Sequence, residues 1–139
     1  MNSSSGHTYP LRVYYEDTDA GGVVYYANYL KFAERARSEL LRQLGIEHGP
    51  PGGGQSVAFA VRQCNADYLK PARLDDSLEV LTEIDEVRGA SVHMSQTVRR
   101  GDADLVRMKL RIACLGEDGH AARLPKAARQ RLMEFGNGL

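Results

Sequence analysis

With 139 residues, 18 acidic and 18 basic side chains and 42% hydrophobic content, the chain has the size of one domain with a real core and carries no net charge. That balance leaves no basic footprint for a nucleic acid, and no apolar run approaches the roughly 20 residues a membrane helix requires. The start, Met1 to His7, lacks the apolar core of a secretion signal, so a cytoplasmic protein without a transmembrane segment is expected.

Residues 1–9, opening with serines and a glycine, read as a flexible tail ahead of a single domain over 10–139. Leu11 to Tyr15 reads as a strand from its β-branched and aromatic content. An acidic, glycine-bearing turn from Glu16 to Gly22 follows. From Asn28, the apolar residues Tyr29, Phe32, Ala33, Ala36, Leu40 and Leu44 recur every three to four positions, with Lys31, Glu34, Arg35, Glu39 and Arg42 on the other face. This spacing predicts a long amphipathic helix, ended by Gly45, and Gly49 to Gly54 is too rich in glycine and proline to be anything but loop.

From Val57 to Leu115 the period becomes two. Val57, Phe59 and Val61 mark one strand, Leu78, Val80 and Ile84 a second, and Val92, Met94 and Val98 a third. The clearest is the last, where Val106, Met108, Leu110, Ile112 and Cys114 alternate with Arg107, Lys109, Arg111 and Ala113. Turns at Lys70–Asp76, Arg88–Ala90 and Arg100–Asp102 suggest an antiparallel meander, and Pro125 opens a short helix through Phe135. The order predicts an α+β domain, a curved five-stranded antiparallel sheet around one long helix. One helix covers only part of such a sheet, so a homodimer at minimum is expected.

Cys64 and Cys114 lie in strand-like runs without CxxC spacing or paired histidines, which points to buried thiols and to no metal. No Gly-x-Ser-x-Gly elbow is present. The chemistry-bearing stretch is Tyr15 to Tyr29, where Asp17 and Asp19 precede a helix start. By pattern alone, an aspartate there caps the helix. A carboxylate facing the free N–H groups of a helix N-terminus also combines an attacking or water-activating group with an oxyanion site, which suits acyl transfer.

The segment Val13 to Leu30, continuing into Phe32-Ala33-Glu34-Arg35-Ala36-Arg37, closely resembles the Tol-Pal-associated acyl-CoA thioesterases of the 4-hydroxybenzoyl-CoA thioesterase group. Further similarity lies at Tyr68, Pro71 to Asp76, Arg88-Gly89 and Leu124-Pro125. The resemblance implies a hotdog fold, a homodimer or homotetramer, and hydrolysis of acyl-CoA to free acid and CoA without metal or bound cofactor. Carried over by position, the catalytic carboxylate falls on Asp19, as nucleophile or general base, and Asp17 is its neighbour. Many members of that family have a histidine at the position of Tyr26. A phenol with a pKa near ~10 is a poor base at neutral pH, which leaves the Tyr26 backbone N–H as the oxyanion donor. Gly21, Gly22, Tyr25, Arg88 and Gly89 are the expected substrate-contacting residues, with Arg88 the leading partner for CoA phosphates and Lys70, Arg73, Arg123 and Lys126 behind it. The alternative function is a non-hydrolysing adaptor that binds acyl thioesters or acyl carrier protein; a dehydratase ranks lower, since the segment lacks the histidine that chemistry pairs with an acid.

Overall fold

A computed structural model describes residues 6–53 and 57–138. Strand β1 (Gly6–Arg12) leads through a short 3-10 turn (Tyr15–Asp17) to helix α1 (Asn28–Gln43). Four strands follow, β2 (Ala58–Tyr68), β3 (Ser77–Val87), β4 (Ser91–Arg100) and β5 (Ala103–Leu115), and helix α2 (Lys126–Gly136) closes the chain. All five strands form one antiparallel sheet in the order β1-β3-β4-β5-β2.

The apolar stripe of α1 is buried at Tyr29, Phe32, Ala33, Ala36 and Leu40, as its spacing predicts; Leu41 is buried as well, while the expected Leu44 is the half-buried cap of the helix. They face Leu78, Val80, Val92, Met94, Val98, Met108 and Ile112 on one side of the sheet. Ala33 and Ala36 are small enough to let the helix approach closely, and each large side chain buried with them contributes about 2–3 kcal/mol. The opposite face of β5, with Arg107, Lys109 and Arg111, is exposed. Gly45 ends α1 in the left-handed conformation, φ +73°, which a residue without Cβ adopts freely.

The structure corrects four expectations. The tail expected over 1–9 is shorter, because residues 6–9 pair with β3; residues 1–5 lie outside the described residues. Composition alone suggested coil, but the bare edge of β3 supplies backbone partners, and Tyr9 and Leu11 pack on the core. The first strand stops at Arg12 instead of reaching Tyr15, because the Asp17 carboxylate accepts the Tyr14 N–H and folds the chain into a turn. Only β3, β4 and β5 form a meander; β2 crosses to the far edge and pairs with β5, from Ala58↔Leu115 to Tyr68↔Val106. Finally, α2 helps α1 cover the sheet: Ala128 and Leu132 are buried, and Arg131 Nη1 donates to Gly45 O at 2.8 Å, tying α2 to the end of α1. The loop expected from 49 to 54 is described only to residue 53.

Candidate active site

The loop between β1 and α1 is held by backbone pairing on both sides. Tyr25 N donates to Asp17 O, Thr18 and Val24 form an antiparallel bridge, and Asp19 N donates to Val23 O at 2.9 Å. A second seam joins this loop to the β2–β3 connection, through Val24 N to Ala72 O at 2.8 Å and a bridge between Val23 and Arg73. The two aspartates have different surroundings. Asp17 is 7% exposed, its Oδ2 accepting from Tyr14 N at 2.8 Å and its Oδ1 from Asn28 Nδ2 at 2.9 Å. It is the buried anchor of the loop. Asp19 is exposed at the head of the turn, where its Oδ1 accepts the Gly21 N–H at 2.8 Å.

Both glycines have a geometric reason. A Cβ on Gly21 would stand 3.3 Å from Asp19 Oδ1 and crowd the carboxylate, while Gly22 has φ +77° and closes the turn through its N–H to Asp19 O. At the start of α1, Asn28 N bonds Tyr25 O and Tyr29 N bonds Tyr26 O. The Tyr26 and Ala27 N–H groups therefore lie ahead of the helical ladder, at its positive end.

Beside that helix end lies a cavity of about 250 Å3, lined by Val24, Tyr26, Tyr29, Tyr68, Leu69, Lys70 and Pro71. Its three tyrosines and the neighbouring Tyr25 stack in a chain: Tyr25 to Tyr26 at 5.1 Å, Tyr26 edge-on to Tyr68 at 5.7 Å, and Tyr68 to Tyr29 at 5.9 Å between ring centroids. The Tyr29 hydroxyl accepts from Ala72 N, and burial raises its pKa above the ordinary phenol value. Asp19 stands on the loop that walls this cavity but does not line it, and it makes no hydrogen bond to Tyr26 among the described residues. Tyr25, Tyr26 and Tyr68 are 49%, 61% and 47% exposed, an aromatic surface left open in the single chain.

Arg88 and Gly89 are elsewhere. The Val23–Arg73 bridge holds the residues just ahead of β3 against the Asp19 loop, and Arg88 follows the other end of that strand, about 35 Å away for 11 extended residues. Arg88 forms a forked pair with Glu86, at 3.0 and 3.3 Å, which raises the pKa of the guanidinium and lowers that of the carboxylate. Gly89 makes room for a neighbour: a Cβ there would meet Arg123 Nη1 at 3.1 Å. The other expected phosphate partners divide between the two ends of the sheet. Lys70 and Arg73 sit beside the Asp19 loop, whereas Arg123 lies beside Gly89 and Lys126 opens α2 just beyond.

Sequence reading missed the anchoring role of Asp17 and its partner Asn28, and it gave Tyr29 only a packing role. The signal for Asp17 was the spacing to Tyr14, three residues, the reach of a side chain closing a turn on a backbone N–H. Among the described residues, no three His, Cys, Asp or Glu side chains cluster as a metal site would require, and no helix is long and apolar enough to cross a membrane.

Residues 21–107 match the family model of the thioesterase superfamily, a match that starts two positions after Asp19. The chain is 46% identical over 111 residues to the acyl-CoA thioesterase YbgC of Haemophilus influenzae, covering 80% of this chain and 82% of that one. It is 48% identical over 98 residues to the acyl-CoA thioester hydrolase YbgC of Escherichia coli O6:H1, covering 70% and 72%. Among solved structures, a probable thioesterase from Bartonella henselae superposes with a TM-score of 0.80 at 39% identity, covering 86% of this chain and 99% of that one. Sheet order, helix placement and these likenesses agree on a hotdog architecture, and the chain belongs to the thioesterase superfamily.

Proposed function

We infer that the protein is an acyl-CoA thioesterase that hydrolyses the thioester to free acid and CoA. The observation that carries this reading is the loop from Asp17 to Tyr26, which fixes an exposed carboxylate and a helix N-terminus on one rigid segment beside a tyrosine-lined cavity. The two YbgC relatives support the same chemistry. In this reading Asp19 either attacks the thioester carbonyl carbon, giving a mixed anhydride and releasing CoA thiolate before water cleaves the anhydride, or takes a proton from the attacking water. Either way the negative charge developing on the carbonyl oxygen is met by the Tyr26 N–H at the positive end of α1. Gly21 leaves the carboxylate room, and Tyr25, Tyr26 and Tyr68 wall the acyl end.

The single chain leaves Asp19 and this aromatic wall open to solvent, so the working unit in this reading is a homodimer or homotetramer. The open edge of β2, where Val61 is 45% exposed, supports a second copy there. Antiparallel β2–β2 pairing about a two-fold axis would bring the Arg88 end of one copy toward the Asp19 end of the other, giving Arg88 and Gly89 a route to CoA phosphates. The motif from Val13 to Leu30 supports the Tol-Pal-associated branch of the 4-hydroxybenzoyl-CoA group, and two free cysteines fit a cytoplasmic location. Acyl carrier protein is the alternative carrier of the acyl group.

The test is thiol release from a panel of acyl-CoAs by the wild type and Asp19→Asn. Loss of about 10²- to 10³-fold in kcat with the fold intact is expected. Turnover near the wild-type level would remove Asp19 from the chemistry, and binding without turnover in the wild type would favour the adaptor.

A further inference from the structure

Helix α1 carries one cation on the side that faces β2. Arg37, half-buried, donates from Nη1 to Gln96 Oε1 at 3.0 Å. Gln96 is fully buried, and its Nε2 donates to Ala33 O and to Thr82 Oγ1, both at 2.9 Å. Those two acceptors fix the amide, so its oxygen is turned toward Arg37 and the guanidinium is held in place. A guanidinium offers five N–H donors. Among the described residues no carboxylate lies within ion-pair distance of this one, and burial lowers its pKa from the ordinary value while Glu34 and Cys64 oppose the shift.

The guanidinium lines a cavity of about 250 Å3 between α1 and β2, whose walls include Leu41, Phe59, Val61 and Ile112, and which Glu34 also lines. Donors partly removed from water at an apolar wall cost free energy unless an acceptor meets them. This cavity and the tyrosine-lined one both open between α1 and β2. Between them lie the half-buried Cys64 and Ala66, which pack on the core from the strand, and the exposed Leu30 and fully buried Ala33 of the helix. Arg37 is eleven positions after Tyr26, about 16 Å at the helical rise. An extended chain advances about 1.2 Å per bond, so an acyl chain of roughly 10 to 14 carbons spans that gap.

We propose that Arg37 is a specificity-determining residue that donates to a hydroxyl at the far end of the acyl group, with Glu34 accepting the hydroxyl proton, so that ω-hydroxylated medium- to long-chain acyl-CoAs are the preferred substrates. A hydroxyl suits the pair because one oxygen both accepts and donates, whereas a terminal carboxylate meets Arg37 but is repelled by Glu34. The inference rests on cleavage of the thioester at the Asp19 loop.

The test compares kcat/KM for ω-hydroxydodecanoyl-CoA and dodecanoyl-CoA, with the ω-carboxylated chain as a third arm, in the wild type and in Arg37→Met. The wild type should favour the hydroxylated chain about tenfold, with the carboxylated chain behind it, and the ratio should fall toward one in Arg37→Met. A purely structural Arg37 would lower both substrates together and leave the ratio unchanged. A wild-type ratio of one or less, a ratio that survives the substitution, or a variant whose one change is a weaker oligomer by sedimentation overturns the proposal. Should Arg37→Met fail to fold, the exposed Glu34→Ala serves in its place: a several-fold drop in the ratio supports the assignment, and an unchanged ratio refutes it. Thiol release from both esters without preference would refute the role of Arg37 alone, whereas no release from any acyl-CoA would bring down the thioesterase reading with it.

Discussion

Asp17→Asn should damage the fold, and Asp19→Asn should not. Asp17 is 7% exposed and accepts two hydrogen bonds, from Tyr14 N at 2.8 Å and Asn28 Nδ2 at 2.9 Å, one on each carboxylate oxygen. An asparagine keeps one acceptor and turns an NH2 group toward the other donor, so one charge-assisted bond is lost and a partly buried N–H is left facing a donor. Together these cost about 2–4 kcal/mol. Unfolding entropy near 2.1 cal/mol/K per residue gives about 0.29 kcal/mol/K for a chain of this size, so Tm should drop by roughly 7–14 °C. Asp19 is exposed, and an asparagine there still accepts from Gly21 N, so its Tm should stay within about 2 °C of the wild type. Circular dichroism melts of both variants, alongside thiol-release assays, separate the effects: a large Tm drop for Asp17→Asn, and lost turnover at intact stability for Asp19→Asn. Equal melting of Asp17→Asn and the wild type, or the reverse order between the two, would refute the assignment of anchor and reactant. Asp17→Asn is consequently not a neutral control for Asp19.

Leu132→Ala removes a fully buried side chain from α2 and should lower stability by about 2–4 kcal/mol, read as a reduced urea midpoint at unchanged slope; a loss below about 1 kcal/mol would mean that α2 is not part of the core. Arg88→Ala breaks only an exposed pair with Glu86, so Tm should hold within about 2 °C while KM for CoA esters rises more than kcat falls; the opposite split would exclude a phosphate contact. The Asp104 carboxyl is held below its usual 3.8 by the Arg107 hydrogen bond and by Arg99, against a smaller opposing effect of burial. A depressed folded pKa contributes stability above the unfolded value that is lost as pH falls through the folded one, so the advantage of the wild type over Asp104→Asn should be full at neutral pH and fall away as pH drops from about 3.8 toward the lower folded value. Urea midpoints across that range check the sign, and an advantage that grows on acidification would contradict it.

What could be read from the sequence was what neighbours in the chain decide. The stripe from Tyr29 to Leu40 fixed α1, Gly45 its end, the alternation from Val106 to Cys114 fixed β5, and Pro125 the start of α2. The turn at Gly21-Gly22 was legible too, and Gly22 has the positive φ that a glycine pair signals. Pairings between distant segments were not. Nothing in the composition of Ala58 to Tyr68 says that it joins β5 at the sheet edge, and Gly6 to Tyr9 becomes a strand only because β3 offers it an edge. The same holds at the candidate site. Asp17 and Asp19 are two residues apart and chemically identical, and only the fold buries one beneath Tyr14 and Asn28 and leaves the other on the surface. Gln96 interrupts the apolar alternation of Val92, Met94 and Val98, and its partner, the helix carbonyl of Ala33, is 63 positions away.

The pairing order also governs when the molecule can assemble. β1 waits for β3, and β2, at the opposite edge, waits for β5, with Ala58 finding its place only against Leu115. On the ribosome, therefore, the first half of the chain emerges with an amphipathic helix and two strands that have nothing to pair with, and closing the long loops between partners makes assembly slow. A nascent chain stalled before residue 115 leaves Phe59 and Val61 on an unpaired strand, and unpaired apolar strands of that kind invite aggregation.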